Sequence, residues 1–250
     1  MNFDGIREAG HIVAKVLDEV SDYVKPGVTT EFLDAVCLQA IFKLDAKPAL
    51  VGYSGYPNCS CISPNHVVCH GIPSDKKLVD GDIINIDVTV EYNGWFGDSS
   101  RMFFVGKPSV KARNLCKTTF EAMWKGIEQC KPGNTIGDIG WAIQSHAEAN
   151  RFSVVREYVG HGVGQAIHME PQVPHYGKPG TGLVLEPGMI FTIEPMVNAG
   201  KPETKVLSDN WTVVTRDRSL SAQFEHTVGI TDSGFEVFTI SPAGKHHPDW

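Results

Sequence analysis

LVDGDIINIDVTV (residues 78–90) returns further along the chain as LEPGMIFTIEPMV (residues 185–197), and this pairing decides the fold. In a strand, alternate side chains point to opposite faces. Ile84, Ile86, Val88 and Val90 then form an apolar face, and Asn85, Asp87, Thr89 and Glu91 a polar one. In the second copy Phe191, Ile193 and Val197 take the apolar side, and Thr192 and Glu194 the polar side. Asp87 and Glu194 therefore occupy matching places. Aspartate is depleted within strands, and a buried carboxylate persists when it is paired, hydrogen-bonded or bound to a cation.

The match extends outward from these strands. Ile6, Gly10, Val13, Leu17, Val20 and Val24 have helical spacing, so a helix is predicted over 6–24. KPGVTTEFLD then ends it and caps the next helix at Thr29 or Thr30. KTTFEAMWKGIEQ followed by KPGNTIGDIGWAIQ repeats the arrangement, with helices after the Lys-Pro-Gly break at 25–42 and 131–148. VVCHGIP (67–73) and YVGHGVG (158–164) match in the same order and lay His70 over His161. One long repeat, roughly 6–105 and 112–235, implies two related halves of a single domain spanning 1–250, because solenoid periods run at roughly 20–50 residues.

EYNGWFGD contains Asn93-Gly94, a strong hairpin signal, and the return strand is expected to bring Asp98 beside Asp87. Two ionised carboxylates in contact call for a shared proton or a cation. LSAQFEHTVGI reads as one alternating strand with Gln223, Glu225 and Thr227 on one side, adding Glu225 to Asp87, Asp98 and Glu194. GHGVGQAIHMEP supplies His161 and His168. Four carboxylates and an imidazole have the chemistry of a site for two divalent ions, which activate water and polarise a carbonyl. Scattered ion pairs with Arg101, Arg113 and Arg216 are the competing reading. A zinc cluster of Cys59, Cys61, Cys69 and His70 is disfavoured by its spacing.

Bulk properties narrow the class. The chain has 250 residues, 42% of them hydrophobic and 20% charged, so it is long enough to bury a substantial core. Its net charge of −7 argues against a broad nucleic-acid surface. No export signal and no apolar run near the roughly 20 residues of a membrane span are present. Six cysteines without paired spacing read as free buried thiols, so a soluble protein of the cytoplasm is expected.

Together, KPGVTTEFLD, GYSGYP, CISPNHVVCHGIP, GDIINIDVTV, GDSSRMFFVG, GHGVGQAIHMEP, IEPMV and SLSAQFEHTVGI resemble the type I methionine aminopeptidases. That resemblance implies an α+β pita-bread fold: two pseudo-twofold-related halves, antiparallel sheet covered by helices, and a dinuclear metal site at the centre of one catalytic domain. It implies that Asp87 binds one metal, His161 and Glu194 the other, and that Asp98 and Glu225 bridge both. Glu194 then assists deprotonation of the attacking water, His168 stabilises the tetrahedral intermediate, and His70 lies near the scissile amide nitrogen. Tyr53, Tyr56, Cys61, His70, His168 and Trp211 contact the substrate, and aromatic and sulfur groups suit a thioether. Ser54 and Ile167 depart from the family pattern, which often has histidine and an aromatic residue there.

The implied reaction is removal of the N-terminal methionine from nascent chains with a small second residue. Carboxylate-rich sites with one histidine accept cobalt, manganese, iron, zinc or nickel. Xaa-Pro aminopeptidases and prolidases share the ligand set but resemble chains with a large extra N-terminal domain. Type II methionine enzymes carry a helical insertion that residues 194–225 leave no room for. A non-catalytic pita-bread protein binding ribosome or RNA is a rival from another class, and such proteins typically lack the ligands. A monomer is expected, with no membrane or specific nucleic-acid partner and with transient ribosome contact through Lys43, Lys47, Arg113 and Lys117. The terminal KHHPDW reads as a frayed tail.

Overall fold

The computed structural model describes residues 2–250. It begins with helices α1 (Asp4–Ser21) and α2 (Thr30–Lys43) and strands β1 (Lys47–Pro48), β2 (Ser60–Pro64) and β3 (Val67–Cys69). A long hairpin, β4 (Ile83–Tyr92) and β5 (Trp95–Phe104), closes the first half. Helices α3 (Val110–Ile127) and α4 (Ile136–Ala149) open the second, followed by β6 (Ser153–Val154), β7 (Gly160–Gly162) and β8 (Met169–Val173). Then come β9 (Ile190–Ile193), β10 (Met196–Asn198), β11 (Thr204–Val206), β12 (Val213–Thr215), β13 (Ser221–Gln223), β14 (His226–Ile230) and β15 (Phe235–Val237). The strand pairings are antiparallel.

The two Lys-Pro-Gly segments fold alike. Gly27 and Gly133 both have φ of 88° and donate their N–H to the carbonyls of Leu78 and Leu185. That left-handed conformation is the reason for glycine at the break. Thr29 caps α2 by accepting from Phe32 N, and Thr135 caps α4 in a full capping box with Asp138. Helix α1 stops at Ser21, short of the expected Val24. The Asp18 carbonyl is taken there by Ser21 Oγ and Lys245 Nζ, which compete with continuation of the helix.

Two apolar cores flank the site. In the first, Ile84, Ile86, Val88 and Val90 pack on α1 and α2. Full burial of each such side chain contributes about 1.5–3 kcal/mol, ample to seat a strand whose other face carries charge. In the second, Phe191, Ile193, Val197, Phe224 and Val228 pack against residues of α3 and α4. The polar faces meet between the cores. Asn85 Nδ2 donates to Gln223 O at 2.8 Å, Thr227 Oγ1 to Asp98 O at 2.7 Å, and Ser99 Oγ to Glu225 O at 2.8 Å.

The hairpin brings Asp98 beside Asp87 as expected: Asp98 stands opposite Thr89 and Asp87 opposite Ser100, so the two aspartates are diagonal neighbours on one face. Two further expectations are corrected. LSAQFEHTVGI is not one strand: β13 pairs with β10, β14 pairs with β9, and Phe224–Glu225 joins the two sheets. The burial is continuous from Ser221 to Ile230, which alternation cannot describe. The terminal KHHPDW is docked. Arg101 Nη1 donates to Asp18 Oδ1 at 2.5 Å and to Lys245 O at 2.8 Å, while the His247 ring stacks on Trp250 at 4.6 Å. All six cysteines are free and buried.

Candidate metal centre

A cavity of about 640 Å³ opens between the two halves, lined by Asp87, Asp98, His161, Glu194 and Glu225. The lining also contains Tyr53, Tyr56, Cys61, His70, His168 and Trp211, so every site residue singled out in the sequence reaches one space. Ile167 lines it too, whereas Ser54 sits on the exposed turn beside Tyr53 with φ of 47°.

Asp87 and Asp98 project from the unbroken β4–β5 ladder. Glu194 and Glu225 project from gaps: Glu194 lies between β9 and β10, and Glu225 between β13 and β14. Pro195, with no N–H to give a ladder, fits the first gap. The Glu225 N–H crosses to Ser100 O at 3.0 Å, which ties the second gap to β5.

Ligand-type atoms of Asp98, His161 and Glu225 all lie within 4.8 Å of one another. His161 Nε2 is 3.6 Å from Asp98 Oδ2 and 3.5 Å from Glu194 Oε1. His161 Nδ1 lies 3.0 Å from the carbonyl of Gly162, a pure acceptor, so the proton belongs on Nδ1. A bare Nε2 lone pair then faces two carboxylate oxygens. Lone pair against carboxylate is repulsive unless a proton or a cation lies between them.

Held without a cation, the cluster is electrostatically strained. Burial pushes Glu194 up to about 8, with Asp98 adding to the rise and Thr192 and Gln223 opposing it. Burial likewise takes Asp98 to about 6 against the Thr89 hydrogen bond. Asp87 and Glu225 are driven well above the carboxylate range by burial and by their acidic neighbours. Asp87 Oδ1 is buried with no hydrogen-bond partner. No Lys or Arg lines the cavity among the described residues, and Arg101 is spent on Asp18. The ion-pair reading therefore fails at Arg101, and the donor set fits divalent metal. The cysteine-rich cluster does not form among the described residues.

Around this centre the imidazoles stay neutral. Burial lowers His70 to about 4, with the His168 charge adding to the effect, and also lowers His161 and His168. Tyr53 OH lies 2.7 Å from His168 Nδ1. Tyr56 OH is tied to the carbonyls of Ser60 and Gly71, leaving its ring to pack edge-on against Trp211 at 5.0 Å. Cys61 stands directly opposite Asp87 across β2 and β4, so the apolar end of the cavity shares a ladder rung with the carboxylates.

Several contributors have no sequence prediction behind them. Gln223 Nε2 donates to Glu194 Oε2 at 3.2 Å, and His175 Nε2 accepts the Glu194 N–H at 3.1 Å. Tyr158 packs edge-on against His70 at 5.7 Å and lines the cavity. Strand alternation places Gln223 on the polar face without giving it a role. A lone buried histidine such as His175 leaves no signature at all.

Comparison with known proteins agrees with this geometry. The profile described as "Metallopeptidase family M24" matches residues 4–232, and the chain belongs to that family. Its kin there are methionine aminopeptidases. The one from Rickettsia prowazekii is 53% identical over 251 residues, covering 100% of this chain and 96% of the relative. The crystal structure of the Rickettsia prowazekii enzyme superposes with a TM-score of 0.94 at 54% identity, covering 95% of this chain and 96% of that one. Prolidase from Pyrococcus furiosus shares the fold at a TM-score of 0.76 and 24% identity. This chain covers 95% of its own length there but 63% of the prolidase. The pita-bread architecture with antiparallel sheet and covering helices is thus the fold of this chain.

Proposed function

We propose that this metallopeptidase is a methionine aminopeptidase that removes the N-terminal methionine from polypeptides with a small second residue, by attack of water on the first peptide bond. The observation that carries the proposal is the buried set of Asp87, Asp98, Glu194 and Glu225 around a bare His161 Nε2, with no cation from the chain lining the cavity. In this reading Asp87 would hold one divalent ion, His161 and Glu194 would hold a second, and Asp98 and Glu225 would serve both. Cobalt, manganese, iron, zinc and nickel all suit these donors. When bound, such ions lower the pKa of water and polarise a carbonyl.

The chain's own residues supply the rest. Glu194 would receive the proton of the attacking water, the general-base role open to an ionised carboxylate beside the reacting centre. Tyr53 OH lies 2.7 Å from His168 Nδ1; a phenol donating there would leave the His168 proton on Nε2, to be offered to the oxyanion as charge develops. His70, uncharged because it is buried, stands by the leaving nitrogen. Tyr53, Tyr56, Cys61, His70 and Trp211 enclose the methionine side chain, where a thioether finds aromatic and sulfur contacts. The cavity takes a free N-terminus at its acidic end, and the aromatic wall excludes water from the reacting bond.

The same reading extends to a single catalytic domain acting as a monomer in the cytoplasm, on nascent chains and in transient contact with the ribosome. No described helix is long and apolar enough to cross a membrane. Of the basic residues considered for ribosome contact, Lys43 and Lys47 are paired with Glu19 and Glu91, which leaves Arg113 and Lys117 as the better candidates. Methionine release from Met-Ala-Ser, but not from Met-Lys-Ser, by protein loaded with manganese, iron, cobalt or zinc is the direct test. No release with any of these metals would end the assignment.

A further inference from the structure

Thr192 is fully buried on β9, two residues ahead of Glu194 and on the same face. Its Oγ1 donates to Glu194 Oε1 at 2.6 Å and accepts the His161 backbone N–H at 3.0 Å. A hydroxyl has one proton to give and lone pairs to receive, so both contacts are satisfied at once. We propose that Thr192 is a positioning residue whose hydroxyl locks the Glu194 carboxylate to the His161 backbone, aligning the two before a metal ion binds. This rests on the role given above to His161 and Glu194 as ligands of one ion. It extends that role to a residue outside the lining of the cavity.

Two observations set Thr192 apart from ordinary packing. In the first copy of the repeat the matching position is Asn85. There the side-chain amide reaches Gln223 O at 2.8 Å and Ser100 Oγ at 3.1 Å, and Asp87 Oδ1 is left without a partner. The locking contact thus belongs to one copy. Glu194 has two further holders, Gln223 on Oε2 and His175 on the backbone N–H. Of the three, Thr192 is the one that also reaches His161. The other holders can fix where Glu194 sits, but Thr192 fixes Glu194 relative to His161, and an ion held by both senses that relation.

Valine keeps the shape of threonine while removing the donor and leaving the His161 N–H unpaired. Partners one step behind metal ligands typically change metal affinity or turnover by about 10–100-fold. Metal-free wild type, Thr192→Val and Thr192→Ser are titrated with Mn²⁺ by calorimetry, and their steady-state kinetics on Met-Ala-Ser are measured. Thr192→Val is expected to weaken one ion by about 10–100-fold and to lower kcat comparably, with KM within about twofold because the methionine pocket is untouched. Thr192→Ser, which keeps the hydroxyl, restores both. Wild-type affinity in Thr192→Val overturns the proposal. So does a serine variant as impaired as valine, since that traces the loss to the methyl group. If melting of the metal-free Thr192→Val shows it unfolded, Thr192→Ala against Thr192→Ser gives the same contrast with the same two outcomes. A wild type that binds no ion would defeat the reading of the site itself, a result distinct from equal binding by wild type and Thr192→Val.

Discussion

The two halves of the molecule supply carboxylates to one cavity by different means. In the first half, Asp87 and Asp98 stand on a hairpin of two ten-residue strands whose ladder runs without interruption from Ile83–Phe104 to Tyr92–Trp95. In the second, Glu194 and Glu225 stand where strands break and the chain passes from one sheet to another. The support differs as well. Glu194 is gripped by Thr192, Gln223 and His175, whereas Asp87 Oδ1 has no partner. The contrast belongs to this pair of residues, since Asp98 in the first half accepts from Thr89 Oγ1 at 2.9 Å. Glu194 is pre-arranged by hydrogen bonds, and Asp87 offers an unpartnered oxygen to a proton or a cation.

The harshest way to break this comparison is at the gripped side. Glu194→Gln preserves length and the Thr192 contact but removes the proton acceptor, and kcat for Met-Ala-Ser is expected to fall by about 10²–10⁴-fold with an unchanged circular dichroism spectrum. Full activity would remove Glu194 from the chemistry.

At the bare side, Asp87→Asn costs no hydrogen bond at Oδ1, so the metal-free fold should survive. Calorimetric stoichiometry is expected to drop from two ions to one, and two ions in the variant would contradict the place given to Asp87.

The mildest test reads the whole cluster through pH. The folded-state values of Asp98 and Glu194 are raised, to about 6 and about 8. Their contribution favours the folded metal-free protein below the ordinary carboxylate values of 3.8 and 4.5, and is lost as pH climbs from there through about 6 and then about 8. Above about pH 7 the buried histidines are neutral folded or unfolded, so metal-free protein should melt at a lower temperature at pH 8.5 than at pH 7. Added Mn²⁺ should stabilise most at the higher pH, and a metal-free Tm that rises over this interval would show that the carboxylates are not strained.

How much of this is legible in the sequence depends on the range of the interaction. The helix breaks and caps at Gly27, Thr29, Gly133 and Thr135 are local, and the duplicated pattern declares them. The faces of β4 and β9 follow from alternation, which places Asp87 and Glu194 on the cavity side without any further information. Alternation fails at Phe224–Glu225, where the residues are buried on every side because two sheets share the segment. It also blurs the hairpin register, since a turn signal brings Asp98 near Asp87 without saying which residue pairs with which. The docked tail depends on Asp18 and Arg101, far away in sequence, and on the Trp250 ring meeting Phe104 and Phe120. His175 and the bridging role of Thr192 are invisible for the same reason: His175 meets the Glu194 N–H, and Thr192 the His161 N–H, across a wide sequence separation.

The central claim is that both halves hold metal together, and it is tested most directly by anomalous diffraction from crystals grown with Mn²⁺. Two peaks about 3.5–4 Å apart are predicted between Asp98 and Glu225, one beside Asp87 and one beside His161 and Glu194. A single peak, or none among these five residues, would contradict the account.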